Sequence, residues 1–240
     1  MTFDARAVQG ILFDYGCTVI EFTRTQVEAC DAALADVLER RLGPFDRERF
    51  DAQRHTDRTA PYTDGYHESR PTELTVNLVR TLYDLDPPAD VLEEILQVRF
   101  DAFVACIARP PGVAELLGRW RERYRLGLVS NYPDGAAIRA SLARVGLAEA
   151  FDVVVVSGDV GRVKPHPLPF RTALEQLDLE PAAVVHVGDN WLADVQGAKR
   201  LGMQAIWTRQ WPTPEPFAPE PGDPPADGTI DHLNELEQLL

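Results

Sequence analysis

Ile11-Leu12-Phe13-Asp14-Tyr15-Gly16-Cys17-Thr18 begins as a short apolar run and breaks into a polar, glycine-containing loop headed by a carboxylate. Four further runs have the same character: Leu126-Gly127-Leu128-Val129, Val153-Val154-Val155-Val156, Val184-Val185-His186-Val187 and Gln204-Ala205-Ile206-Trp207. They are nearly continuous in apolar residues instead of alternating, which is the pattern of strands covered on both faces of a parallel sheet. Helical patterns separate them around 113–121, 135–145, 168–177 and 192–201. From about residue 113 onward the chain therefore reads as α/β: a Rossmann-like parallel sheet core with helices on both faces.

One interval breaks this alternation. Between the first run and the second lie about a hundred residues without a strand pattern, which predicts an inserted all-α cap domain over 21–109 within a core of 1–20 and 110–240. Val27, Cys30, Leu34, Val37 and Leu38 share one helical face, with Thr25-Gln26-Val27-Glu28 as a capping box and Gly43-Pro44 as the stop. Leu74, Leu78, Leu82 and Leu85 form a second stripe ended by Pro87-Pro88, and a third helix is expected over 89–107. The polar stretch from Arg54 to Arg70, with His55, Arg58, Tyr62, Tyr66 and His67, reads as a solvated face of the insertion before it reads as the source of specificity contacts in a cap that closes over the site. Residues 211–228 hold seven of the 19 prolines. They read as a surface excursion before a last strand at 229–231 and a final helix ending at Leu240.

Composition excludes several classes. Of the 240 residues, 45% are hydrophobic and 26% charged, ordinary values for a globular chain. No run approaches the roughly 18 apolar residues of a membrane span, and the first residues lack a positive region followed by an apolar core, so a cytoplasmic location is expected. Lys plus Arg number 24 against 38 Asp plus Glu, a net charge of −14, which argues against nucleic acid as a partner. Cys17, Cys30 and Cys106 have no metal-ligand spacing. The only lysines are Lys164 and Lys199.

Ligands of open α/β sheets lie beyond the carboxyl ends of the strands. Asp14 follows the first run, Ser130-Asn131 the second, Gly161-Arg162-Val163-Lys164-Pro165 the third, and Gly188-Asp189 the fourth, with Asp194 five residues on. Carboxylates crowded together repel one another unless a cation intervenes. An all-oxygen donor set suits Mg²⁺, which also bridges to phosphate oxygens, and a lysine beside it offsets the charge of a carboxylate and its substrate. Such a set fits phosphoryl transfer, in which positioning and charge neutralisation supply most of the catalysis.

With these segments in order, the sequence resembles a haloacid dehalogenase superfamily hydrolase with an inserted helical cap of the C1 type. The matching segments are Leu12 to Thr18, Val129-Ser130-Asn131, Val163-Lys164-Pro165-His166-Pro167, and Val187-Gly188-Asp189 through Asp194 into Gly197-Ala198. The resemblance implies that Asp14 is a nucleophile forming an aspartyl-phosphate. It implies Mg²⁺ held by Asp14, the Gly16 carbonyl, Asp189 and Asp194. It also implies Ser130 and Asn131 on the phosphoryl oxygens, Thr18 orienting the first loop, and Lys164 balancing charge. The implied partner is a small phosphorylated, anionic metabolite.

One position departs from the family. Phosphatases of this kind place a second aspartate two residues after the nucleophile, where it protonates the leaving oxygen, and here that position is Gly16. General acid–base help is worth about 10²–10⁴ in rate, so a slow phosphatase is expected, with Cys17, Tyr15 or a cap residue as possible stand-ins for the acid. Two other readings stay open: a non-catalytic protein binding a phosphorylated ligand or a partner, and a 2-haloacid dehalogenase. A phosphonatase would need a cap lysine, and 21–109 contains none.

Overall fold

The computed structural model describes residues 5–212 and 217–240. Six strands, β1 (Gly10–Phe13), β2 (Arg125–Ser130), β3 (Val153–Val156), β4 (Val184–Gly188), β5 (Gln204–Thr208) and β6 (Gly228–Ile230), form one sheet in the order β3-β2-β1-β4-β5-β6. All pairings are parallel. β1 is central: Gly10 to Phe13 pair with Arg125 to Leu128 on one side and with Val184 to Val187 on the other.

Successive strand side chains point to opposite faces, and both faces are apolar. Ile11 and Phe13 join Leu126, Leu128, Val185 and Val187 on one face. There α5 (Val113–Arg121) and α6 (Gly135–Arg144) supply Leu117, Trp120, Ile138 and Leu142. Leu12 joins Val129, Val155 and Val184 on the other face, under Phe170, Leu174 and Leu177 of α8 (Pro167–Leu177). Each such side chain contributes roughly 1.5–3 kcal/mol by leaving water. The short α7 (Ser157–Val160) and α9 (Gly197–Arg200) complete the core.

Between β1 and α5 the described chain is helical: α1 (Arg24–Leu42), α2 (Arg47–Thr59), α3 (Pro71–Tyr83) and α4 (Ala89–Cys106). Leu34, Val37 and Leu38 of α1, Phe50, Leu78, Val79 and Leu82, and Val91 and Ile95 of α4 form an apolar cluster of their own. The capping box lies two residues earlier than expected. Thr23 is the last extended residue, and its N–H donates to the Gln26 side chain at 2.9 Å. No helix was expected where α2 runs, because only Phe50 of that helix is buried and hydrophobic periodicity has nothing to register. Polar contacts hold it instead. Asp46 caps its first turn, accepting from the Glu48 and Arg49 N–H groups, and Arg54 pairs with Asp31 (2.8 Å) and Asp57 (2.9 Å). The 54–70 stretch is thus not simply a solvated face: Arg54, Tyr62 and Glu68 are turned inward.

Two contacts tie these helices to the sheet. Phe103 of α4 belongs to the sheet cluster and stacks on Tyr132 (centroids 4.1 Å apart). Tyr66 to Glu68 run antiparallel to Gly161 to Val163, with Val163 N–H donating to Tyr66 O (2.9 Å) and Glu68 N–H to Gly161 O (3.2 Å). The buried Glu68 carboxylate accepts from the Ser157 hydroxyl at 2.5 Å, and burial pushes its pKa up to about 7.

The proline-rich segment, outside the undescribed residues 213–216, folds back on the core instead of standing off from it. Trp191 donates to Asp223 (2.7 Å), Gln196 to the Pro224 carbonyl (2.9 Å), and the Phe217 ring lies 4.7 Å from that of Tyr62. After β6 comes the expected final helix, a 3-10 helix over Leu233–Gln238. No helix among the described residues is long and apolar enough to cross a membrane.

Candidate active site

Asp14 leaves the end of β1 with its N–H donated to Val187 O (2.9 Å), so the sheet itself aims the first loop. β2 delivers Ser130 and Asn131, and β4 delivers Gly188 and Asp189. Asp194 follows within a turn of π-helix, Trp191–Gln196, capped by Asn190, whose side chain accepts from Ala193 N–H. Single π-turns inside helices recur at functional sites because they re-aim one side chain. Gly188 is required here by close approach: a Cβ at that position would lie 2.2 Å from Asp194 Cγ.

Lys164 is the centre of the arrangement. It is 1% exposed, and its Nζ donates to Asp14 Oδ1 and to Asp194 Oδ1, each at 2.6 Å. Burial disfavours the ammonium, but the two carboxylates outweigh it and hold the pKa above the ordinary lysine value. Burial pushes Asp14 up to about 6 despite Lys164. For Asp194 burial acts in the same direction, yet Lys164 and His186 outweigh it and bring the pKa down to about 2. His186, within the apolar β4 run, is buried, and its partner is the site itself. Nε2 lies 2.9 Å from Asp194 Oδ1, and burial lowers the ring's pKa, so the neutral ring donates to the carboxylate. The other Asp194 oxygen accepts from Asn190 N–H at 2.9 Å.

Carboxylate oxygens of Asp14, Asp189 and Asp194 lie within 4.8 Å of one another. With a single ammonium among them, this all-oxygen cluster carries surplus negative charge, and its donor chemistry fits Mg²⁺. A cavity of about 130 Å³ borders these carboxylates, Lys164, Gly16, Ser130 and Tyr62.

The other expected site residues are placed as follows. Thr18 is fully buried behind the loop and donates to Asp189 Oδ1 (3.4 Å), so it braces a carboxylate and does not line the cavity. Asn131 lines the cavity, but its amide is occupied: Oδ1 accepts from Lys164 N–H (2.7 Å), while Nδ2 donates to Lys164 O (3.0 Å) and to the Tyr62 hydroxyl (3.2 Å). Tyr15 is excluded as a stand-in acid, since its ring is in the core and its hydroxyl is 2.6 Å from Ser141 Oγ. Cys17 borders the cavity in the left-handed region (φ 56°), with its thiol donated to Phe22 O (3.1 Å) and pushed up by burial. Trp191 packs on Trp207, whose Nε1 donates to Asp189 O at 2.8 Å. Tyr62, one of several polar residues of the 54–70 stretch and not singled out among them by sequence, is the hydroxyl that the helical insertion brings to the cavity. A histidine interrupting the apolar β4 run was the sequence signal for His186. For Tyr62 no periodicity marked the position.

Residues 9–202 match the haloacid dehalogenase-like hydrolase family, and the chain belongs to that family. Among curated relatives, the haloacid dehalogenase-like hydrolase domain-containing protein 3 of Mus musculus is 40% identical over 91 residues, covering 38% of this chain and 36% of that protein. The chain spans less than half the length of the first curated relatives it matches. A glyceraldehyde 3-phosphate phosphatase of Methanopyrus kandleri is 27% identical and aligns over 97% of both chains. Among solved structures, a 2-haloacid dehalogenase from Pseudomonas syringae pv. Tomato superposes with a TM-score of 0.74 at 25% identity over 97% of both chains. Full-length likeness thus extends to proteins named for two different reactions, and the choice between them rests on the side chains of the site.

Proposed function

We propose that this chain is a Mg²⁺-dependent phosphatase that hydrolyses a small phosphomonoester through an aspartyl-phosphate on Asp14, with 21–109 as the cap over the site. The observation that carries the reading is Lys164 bonded at once to Asp14 and Asp194, with Asp189 completing a carboxylate triad. Asp14, Asp189, Asp194 and the Gly16 carbonyl would hold the metal. Mg²⁺ bound there supplies positive charge against the phosphoryl oxygens.

The Asp14 carboxylate attacks phosphorus, the ester P–O bond breaks, and the oxygen leaves with its electron pair. Lys164 keeps Asp14 in place and offsets the charge that accumulates, while Asn131 fixes the Lys164 backbone. Ser130 faces the phosphoryl group. Gly16 can give no proton to the leaving oxygen. Tyr62 can: its hydroxyl accepts from Asn131, which leaves its own proton free to point into the cavity, and burial raises its pKa so that it stays protonated. Water then attacks phosphorus, giving its proton back to the Tyr62 phenolate, and the P–O bond to Asp14 breaks to release phosphate and the free carboxylate.

The test is phosphate release from a panel of phosphorylated metabolites with Mg²⁺ and with EDTA. Metal-dependent release is expected to fall at least about 10³-fold in Asp14→Asn, which removes the nucleophile, and full activity in that protein overturns the reading. Tyr62→Phe is expected to slow release by about 10-fold or more if it supplies the proton. Gly16 and the likeness to the Pseudomonas dehalogenase favour one second reading, carbon–halogen hydrolysis. Halide release from a 2-haloacid in EDTA would establish it.

A further inference from the structure

We propose that the cavity between the helical insertion and the strand ends binds a second anionic group on the substrate's leaving portion, with Arg99 as its counter-charge. This rests on the phosphomonoester reading of the adjoining site. The cavity is about 260 Å³ and shares Phe22, Tyr62, Asn131 and Asn190 with the space around Asp14, so a leaving group departing from Asp14 has this room beyond it.

Beside apolar Val27, Leu74 and Val163 it is lined by three guanidiniums, Arg54, Arg58 and Arg99, and by the carboxyl groups of Asp31, Asp57 and Glu68, the last raised by burial to about 7. Two of them have protein counter-charges. Arg54 pairs with Asp31 and Asp57, and Arg58 lies 3.4 Å from Asp31. Arg99, on α4, makes no ion pair and no hydrogen bond with any described residue, and its Nη1 is buried without a partner. Burial and the neighbouring Arg54 push its pKa down to about 10, so it remains a cation at neutral pH. Arg99 as a whole is partly buried, but an enclosed guanidinium nitrogen without a hydrogen-bond partner is destabilising, and it leaves a place for an anion that the described residues do not supply. Arg99 also borders a second, more open cavity on its other side, which shares Tyr132 and Pro133 with the first but lies away from Asp14 and is lined by Arg70, Asp134 and Asp159.

The recognised class is a phosphomonoester whose far end bears a carboxylate or a second phosphate, separated from the ester by an apolar stretch. A guanidinium pairs with either anion through charge-assisted hydrogen bonds. The test uses a homologous series of ω-phosphooxy carboxylic acids, one to six methylenes long, beside their primary amides. α,ω-Bisphosphates beside the ω-hydroxy monophosphates form a second arm. At one chain length the wild-type protein is expected to prefer an anionic member to its neutral counterpart by about tenfold or more in kcat/KM, and the arm showing the preference identifies the anion. Arg99→Met, which keeps the stem, is expected to abolish the preference by raising KM for the anionic substrate. It leaves kcat and the neutral substrate unchanged and does not lower the melting temperature. Equal rates for anionic and neutral members in the wild type, or a preference that survives Arg99→Met, overturns the proposal. Failure to hydrolyse any member would overturn the phosphatase reading alone. Calorimetric binding of the same pairs to Asp14→Asn and to Asp14→Asn/Arg99→Met still reads the anion preference and its dependence on Arg99.

Discussion

Two charge clusters, one buried at the strand ends and one partly buried in the insertion, meet at Tyr62, and among the described residues they lean in opposite directions. At the strand ends one ammonium, Lys164, stands among the carboxylates of Asp14, Asp189 and Asp194. In the helical insertion Arg54, Arg58 and Arg99 stand among Asp31 and Asp57, beside a Glu68 carboxyl raised to about 7. Buried charge persists only when it is paired, so the surplus on each side describes what the folded chain lacks. Among the described residues the strand ends gather more carboxylates than cations, and in the insertion Arg99 has no hydrogen-bonded counter-charge. The first cluster sits on rigid parallel strands, where chemistry needs fixed geometry. The second is spread over three helices of the insertion, Asp31 on α1, Arg54, Asp57 and Arg58 on α2 and Arg99 on α4, where a substrate contact can change without disturbing the sheet.

The severest way to break this contrast is Lys164→Met. It leaves Asp14 and Asp194 without their shared cation, and is expected to cost about 3–5 kcal/mol of stability and about 10²–10³ in rate. Added Mg²⁺ should raise its melting temperature by more than it raises that of the wild type, which thermal unfolding with and without metal reads directly. Equal stability of the two proteins in EDTA would mean that the carboxylates are not in deficit.

Gly16→Asp sharpens the contrast from the other side by adding a carboxylate, and an acid, at the strand ends. Phosphate release is expected to rise about 10- to 10³-fold. The gain is limited by Phe22, whose Cβ would sit 3.3 Å from the new Cβ and must yield by a few tenths of an ångström. If Tyr62 already donates the proton, the gain is larger in a Tyr62→Phe background, which a four-protein comparison of kcat checks.

The smallest expected effect is that of Glu68→Gln. Its carboxyl is raised by burial from 4.5 to about 7 in the folded chain, so between those values the native state holds a proton that the unfolded state releases. The stability this residue contributes is present below the lower value and is lost as pH rises through the upper one. Melting temperatures of the wild type should therefore fall across that window relative to Glu68→Gln, by the equivalent of on the order of 2–3 kcal/mol. Parallel curves would show that the Glu68–Ser157 contact does not respond to pH.

Much of this molecule was readable in one dimension, because strands covered on both faces leave continuous apolar runs. Ile11 to Phe13 and Val184 to Val187 announced neighbouring strands, and the acids that follow them announced a shared edge. The order of the strand-end segments was enough for the family. Apolar stripes likewise marked α1, α3 and α4, whereas α2 left none, being held by an N-cap and ion pairs.

What only the tertiary structure decided is the pairing of charges over long separations. Lys164 reaches Asp14 across 150 residues, His186 turns to Asp194, Tyr15 turns away to Ser141, and Arg99 Nη1 finds no partner among the described residues. Local periodicity reports which face of an element is buried, since burial follows from the repeat of the backbone. It carries no record of which buried charge meets which, because that depends on where distant elements are brought to rest by the packing of the sheet.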